Sequence, residues 1–189
     1  MREWWGDRLQ FGIIALPAGR TSWFALAPTA VLTGRQQDGP GGLALYRSLF
    51  AGFPSPVEDL LARTTPESTV ETELRHRPWR GGRGRVTLLR DAAHPMLPHL
   101  GQGAGQAVED AAVLARRLDA TPGTASAFRA YEAERRARVR WIQNQALRMN
   151  KLGRLPAGPL SSLRDLAMAS LPGPAERFAV RRMFDGPPP

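Results

Sequence analysis

The segment Arg85 to Ala115, RVTLLRDAAHPMLPHLGQGAGQAVEDAAVLA, constrains this chain more than any other. Arg85-Val86-Thr87-Leu88-Leu89 is a short apolar run behind a glycine-rich lead-in, the pattern of a buried strand. A Pro- and Gly-rich loop follows from Arg90 to Gly103. A helix is then expected from about Gly105 to Leu118, with Ala107, Ala111, Leu114 and Leu118 on one face. A carboxylate at the end of such a strand faces the crevice where α/β folds hold ligands, and Asp91 stands at that place. It is suited to accept hydrogen bonds from a sugar or polyol hydroxyl. Gly101-Gln102-Gly103-Ala104-Gly105 comes immediately before the helix. Glycines there let backbone N–H groups approach a ligand, and the helix N-terminus favours negative charge. The competing reading is a plain structural loop. The pattern is not a dinucleotide fingerprint, because Gln106 holds the third glycine position and the connection is too long for that turn.

The rest of the chain reads as mixed α and β. Residues 9–16 (LQFGIIAL) and 20–27 (RTSWFALA) alternate around Pro17-Ala18-Gly19 and predict a β-hairpin. Residues 33–42 predict a loop, Leu43 to Phe53 a helix, and Val57 to Arg63 a short helix after Pro54 and Pro56. Thr69 to Arg77 alternates and predicts an edge strand or hairpin arm. Thr124 to about Leu152 is the longest periodic segment, with Phe128, Tyr131, Ile142, Ala146 and Met149 as its apolar stripe. Helices are also expected over 161–171 and 175–184, ahead of a frayed Gly-Pro tail. A buried strand needs neighbours on both sides, and this chain supplies few, which suggests a fold that is only partly present.

Composition narrows the chemistry. The 189 residues include no cysteine, which excludes a disulfide scaffold, a cysteine nucleophile and a thiolate metal site. The three histidines, His76, His94 and His99, form no metal-ligand spacing, and no Gly-x-Ser-x-Gly elbow exists. His94 reads as a packing or hydrogen-bonding residue, and His99 as structural or as facing a ligand. Glu58-Asp59 and Glu109-Asp110 read as cap or surface charges. Lys and Arg total 26 against 17 acids, a net charge of +9, yet Lys151 is the single lysine, so biased composition competes with polyanion binding as its cause. Two features favour nucleic acid: Arg80-Gly81-Gly82-Arg83-Gly84-Arg85 beside Trp79, and eight basic residues against two acids over 129–154. Their plain readings are a flexible lead-in and a solvated helix face. No stretch approaches a membrane span and the first residues lack a basic leader, so the chain reads as cytoplasmic.

Asp91-Ala92-Ala93-His94, Pro98, Gly101-Gln102-Gly103 and Glu109-Asp110-Ala111 together resemble the second flavin-binding motif of the FAD-dependent aromatic monooxygenases of the para-hydroxybenzoate hydroxylase type. Pro95-Met96-Leu97-Pro98-His99-Leu100 is similar to the salicylate, urate and hydroxynicotinate hydroxylase branch. Trp5-Gly6, Phe11-Gly12, Gly19-Arg20 and Trp23-Phe24-Ala25 look like that family's substrate-domain sheet, and Tyr131-Glu132 with Arg135 and Arg138 like its long helix. The resemblance implies an α+β chain: part of the FAD/NAD(P)-binding α/β fold, with a substrate-domain β-hairpin and C-terminal helices. Residues 1–78 would be the remainder of a substrate-binding domain, 79–122 the C-terminal part of the FAD-binding domain, and 123–189 a helical region. Asp91 would hold the ribityl chain of FAD and Pro98 would lie beside the isoalloxazine ring. Backbone groups of Gly101, Gln102, Gly103, Ala104 and Gly105 would meet the pyrimidine edge. In the family NAD(P)H reduces the flavin, which then uses O2 to hydroxylate a small aromatic substrate. No residue is assigned as catalytic acid or base, and no metal is implied.

The sequence departs from the family twice. The N-terminal Gly-x-Gly-x-x-Gly unit and the middle Asp-Gly motif are not in this sequence, and Met1 falls inside the substrate-domain pattern. The expectation is an enzyme completed by an N-terminal half supplied in trans, or a remnant unable to hold FAD; the third reading is a basic nucleic-acid-binding module. Arg90 replaces the glycine before the aspartate, and its bulk and charge are expected to impair close approach to the cofactor.

Overall fold

The computed structural model describes residues 1–33, 42–170 and 181. The chain divides into two compact units, Met1–Glu73 with Gly153–Asp165, and Leu74–Leu152 with the residues from Leu166 onward.

The first unit is built on an antiparallel sheet of three strands in the order β1 (Arg2–Trp5), β2 (Gln10–Ala15) and β3 (Thr21–Leu26). The expected hairpin is β2–β3, turned by Ala18 and Gly19 at φ +58 and +69. β1 adds a third strand, of which the sequence marks only Trp5, through its likeness to the substrate-domain sheet. Register puts Trp4, Phe11 and Ala25 side by side, with Ile13 and Trp23 on the same face. That face packs on α2 (Gly42–Leu49) and α3 (Val57–Arg63), where Leu43, Phe50, Val57 and Leu61 are buried. Phe11 is the centre: its ring stacks on Trp23 at 5.4 Å and meets Phe50 edge-on at 5.5 Å. Burying such a side chain contributes about 2–3 kcal/mol. On the opposite face Phe24 lies over Gly12, where a Cβ would stand 2.1 Å from the ring. Arg47 closes the end of α3, donating to the carbonyls of Leu61 and Thr64 at 2.9 Å each. The predicted helix over Leu43 to Phe53 stops at Leu49, ahead of Gly52 at φ +86. α1 (Thr29–Thr33) is a single turn.

The second unit is a helix pair and a long irregular segment. α4 (Gly103–Ala120) and α5 (Thr124–Gly153) run antiparallel around a turn holding Gly123 at φ +83. Ala127, Tyr131, Val139, Ile142 and Ala146 of α5 are buried with Ala93 and Leu97. Phe128 and Met149 are half-buried at the margins of the stripe. α6 (Pro159–Ala169) covers the first of the two last predicted helices; the second, 175–184, and most of the 33–42 loop lie outside the described residues.

Two expected strands do not form. Residues 69–77 are irregular, with Val70 93% exposed. Residues 85–89 make only an isolated bridge, Arg83 to Val86, and Val86 is 62% exposed. An apolar run becomes a strand when neighbours take up its backbone groups, and the described residues offer these segments none. Instead α5 holds the second segment from the side. Glu132, 4% exposed, accepts from Gly82 N–H at 2.8 Å and Thr87 Oγ1 at 2.7 Å. The glycines before it make a tight turn: a Cβ on Gly82 would fall 2.0 Å from the Val86 carbonyl oxygen. The buried face of α4 is also rotated from expectation. Ala111 and Leu118 are exposed, and the buried residues are Gln106 and Asp110.

Candidate flavin-contacting site

Asp91 lies in a tight turn, Arg90–Ala92, and Pro98 in a second one, Pro98–Leu100; both residues are exposed. Gly101 ends the second turn at φ +62, a conformation that favours glycine. Gln102 then caps α4 without a side-chain hydrogen bond, and the first helical bond runs from Gln106 N–H to the Gln102 carbonyl at 2.9 Å. The N–H groups of Gly103, Ala104 and Gly105 therefore lack intrahelical acceptors. All three residues are exposed. A Cβ added at Gly101 or Gly103 would meet nothing within 4 Å, and one at Gly105 only the Gln102 side chain at 3.7 Å. These glycines thus serve no internal packing. The helix begins two residues earlier than the sequence predicts, which brings Gly103 to Gly105 into its first turn.

Asp110 connects this helix to the Asp91 turn. It is fully buried, and its carboxylate accepts from Arg90 N–H at 3.0 Å, His94 Nε2 at 2.6 Å and Arg135 Nε at 2.7 Å. Burial pushes the Asp110 carboxyl up, but the hydrogen bonds from His94, Arg135 and Arg90 outweigh it and hold the pKa at about 2. Asp110 is ionised, so the His94 Nε2–H donates to it. Arg135, 3% exposed, also reaches the Gln106 Oε1 at 2.7 Å and Glu109 at 2.5 Å. Burial raises Glu109, and its bonds to Arg138 and Arg135 bring it below the ordinary carboxylate range. Beneath the network, burial and the Asp110 charge push the Tyr131 hydroxyl well up. His94 stacks on Trp79 at 5.1 Å, and His99 Nε2 lies 3.0 Å from Asn150 Oδ1.

The structure thus brings the Asp91 turn and the α4 N-terminus onto one helix-pair scaffold. The linking role of Asp110, Arg135 and Gln106 is what the sequence reading misses: Asp110 and Arg135 appear there only within the matching motifs, and Asp110 as a cap or surface charge. Their signal was spacing: Asp110 falls three residues after Ala107 and four before Leu114, and Arg135 four from both Tyr131 and Val139. Opposite charges at buried positions of two neighbouring helices mark a pair. Arg90 also carries a backbone cost that the sequence does not show: its side chain is exposed and its φ is +53. The position needs glycine for its backbone.

Residues 56–146 match the family described as FAD binding domain. The aurachin C monooxygenase/isomerase of Stigmatella aurantiaca is 36% identical over 153 residues, 80% of this chain and 39% of that protein. The 2-heptyl-3-hydroxy-4(1H)-quinolone synthase of Pseudomonas aeruginosa is 31% identical over 189 residues, 97% of this chain and 48% of that protein. The crystal structure of Klebsiella pneumoniae HpxO complexed with FAD and uric acid superposes with a TM-score of 0.85 at 29% identity, covering 98% of this chain and 48% of that one. The chain spans less than half the length of these relatives.

Proposed function

Because this chain belongs to the FAD-dependent aromatic monooxygenases, we propose that it supplies the flavin-ring side of such an enzyme's site. The observation that carries the reading is the open glycine cradle at the α4 N-terminus, tied through Asp110 to the turn that presents Asp91. Asp91 binds the ribityl hydroxyls of FAD, and Pro98 lies against the ring. The backbone of Gly101, Gln102, Gly103, Ala104 and Gly105 meets the pyrimidine edge, where the N-terminal end of the helix favours negative charge. When bound, the flavin supplies the redox chemistry, taking electrons from NAD(P)H and using O2 to hydroxylate a small aromatic or heterocyclic ring. The chain's own residues orient the ring and hold its edge; Asp110 and Arg135 keep the two contacting segments in register. The division into 1–78, 79–122 and 123–189 belongs to this reading, as does a dinucleotide-binding half supplied by another polypeptide.

The alternative, a remnant that holds no flavin alone, is favoured by the irregular conformation of residues 85–89. An FAD titration followed by flavin fluorescence decides between them. The expected result is saturable binding that Asp91→Ala weakens about 10- to 100-fold, the worth of hydrogen bonds to a charged group. Binding indifferent to Asp91→Ala would refute the ribityl assignment. Absence of binding by the chain alone, restored on adding a polypeptide that spans the relatives' other half, would place the requirement in that half. Absence in both conditions would leave the remnant reading.

A further inference from the structure

We propose that a cleft of about 440 Å³ in the second unit, walled by the His76–Gly81 segment and one face of α5, binds a small phosphate-bearing anion. Arg136, Arg140 and Asn144 contribute from α5, at a spacing of four residues that stacks them along one face. His76 and Trp79 face them across the cleft, and no carboxylate lines it. Two like charges four apart on a helix repel, which an anion between them would relieve.

The neighbouring arginines set these two apart. Arg129, Arg135 and Arg138 on the same helix each engage a carboxylate, at Glu132, Asp110 and Glu109. Among the described residues Arg136 and Arg140 have no ion pair or hydrogen bond, and both are exposed. Opposite them, Trp79 Nε1 and His76 Nδ1 are buried without a hydrogen-bond partner. Buried polar groups are normally satisfied, so an orphaned indole N–H beside a donor-rich cleft points to an acceptor that binds there. The wall is already fixed. Trp79 stacks on His94, and Gln143 Nε2 donates to the carbonyls of Arg77 at 2.8 Å and Pro95 at 3.1 Å. Arg80 N–H donates to the Ala93 carbonyl at 2.8 Å. A phosphate group, with several oxygens and more than one charge, matches two guanidiniums, an amide and an indole N–H.

This site also explains where the sequence's two polyanion features meet. The Arg-Gly stretch is not a free arm: Arg129 donates to the Gly82 carbonyl at 2.6 Å, Glu132 accepts from the Gly82 N–H at 2.8 Å, and Gly81 lines the cleft. The proposal concerns a different surface from the α4 N-terminus and does not rest on the flavin reading.

The test is a calorimetric titration of the full chain with pyrophosphate at low ionic strength, with chloride of matched ionic strength as the reference. Saturable binding is expected, weakened about tenfold by Arg136→Gln and by Arg140→Gln. Trp79→Phe keeps the ring on His94 and removes the donor, so it should weaken binding several-fold; Arg20→Gln, in the first unit, should leave it unchanged. Binding that the two glutamine variants leave intact, or that chloride reproduces, overturns the proposal. So does the absence of saturable binding by a chain whose circular dichroism shows it folded. Retention of single-stranded RNA that depends on Arg83 and Arg85 but ignores Arg136→Gln, without pyrophosphate binding, would replace it with an RNA-binding reading.

Discussion

Arg90 holds a left-handed backbone at φ +53 in the turn that presents Asp91. Its N–H is fixed on the buried Asp110 carboxylate, so the turn cannot relax without giving up that bond. An L side chain in this conformation costs roughly 1–2 kcal/mol, and glycine returns part of that through the entropy of its unfolded chain. Arg90→Gly should therefore stabilise the chain by about 1 kcal/mol, raising the thermal midpoint by about 2–4 °C. A midpoint that stays or falls in a thermal melt would show the Arg90 side chain to be stabilising on its own account. The sequence marks this residue as a departure through its bulk and charge near a ligand; the backbone cost is a second effect that it does not reveal, because φ is not written in residue type. Asp91, Pro98 and the glycines of 101–105 are easier to find, since their type and order carry the chemistry. Asp110 is named in the motif, but its buried linking role escapes notice because an acid beside another acid on a helix reads as surface.

Between elements, that same carboxylate joins the Arg90–Ala92 turn, α4 and α5. Its folded pKa is about 2 against an ordinary value of 3.8. A depressed carboxyl pKa stabilises the fold above the unfolded value, and the gain is lost as pH falls through the folded one, because the unfolded chain binds the proton first. The contribution is about 2 kcal/mol, lost between about pH 4 and pH 2. Asp110→Asn keeps the shape, removes the buried charge that faces Arg135 and leaves that arginine paired with Glu109, which should cost about 3 kcal/mol at neutral pH. Urea unfolding from pH 5 to pH 2 should show the wild-type chain losing its advantage over the variant across that window. Parallel pH profiles would mean that Asp110 is not held as the ionised centre of the network. At this scale the helices are legible from period and capping, and β2–β3 from alternation around a turn. β1 is too short and too polar at its start to announce itself. Residues 69–77 and 85–89 show the limit: alternation and apolarity describe what a segment could pair with, and pairing requires a partner.

For the whole molecule, the run at 85–89 and the short span relative to the matched proteins belong to one argument. Val86 is 62% exposed, and Thr87, Leu88 and Leu89 donate no backbone hydrogen bond to another element among the described residues. Such a run gains from any sheet that can receive it. The chain matches less than half of each relative, so a polypeptide spanning the relatives' other half is the candidate source of that sheet to test. Hydrogen exchange tests this directly. In the chain alone, amides of 87–89 should exchange orders of magnitude faster than those of β2, which is paired on both sides in the three-stranded sheet. Adding a polypeptide that spans the relatives' other half should slow exchange at 87–89 and leave β2 as it was. The same mixture should retain flavin more tightly than either part, because residues 87–89 run directly into the Asp91 turn. If 87–89 are already protected in the chain alone, the segment is held by its own contacts to α5. If the added half changes neither exchange nor flavin retention, the two halves do not form one site.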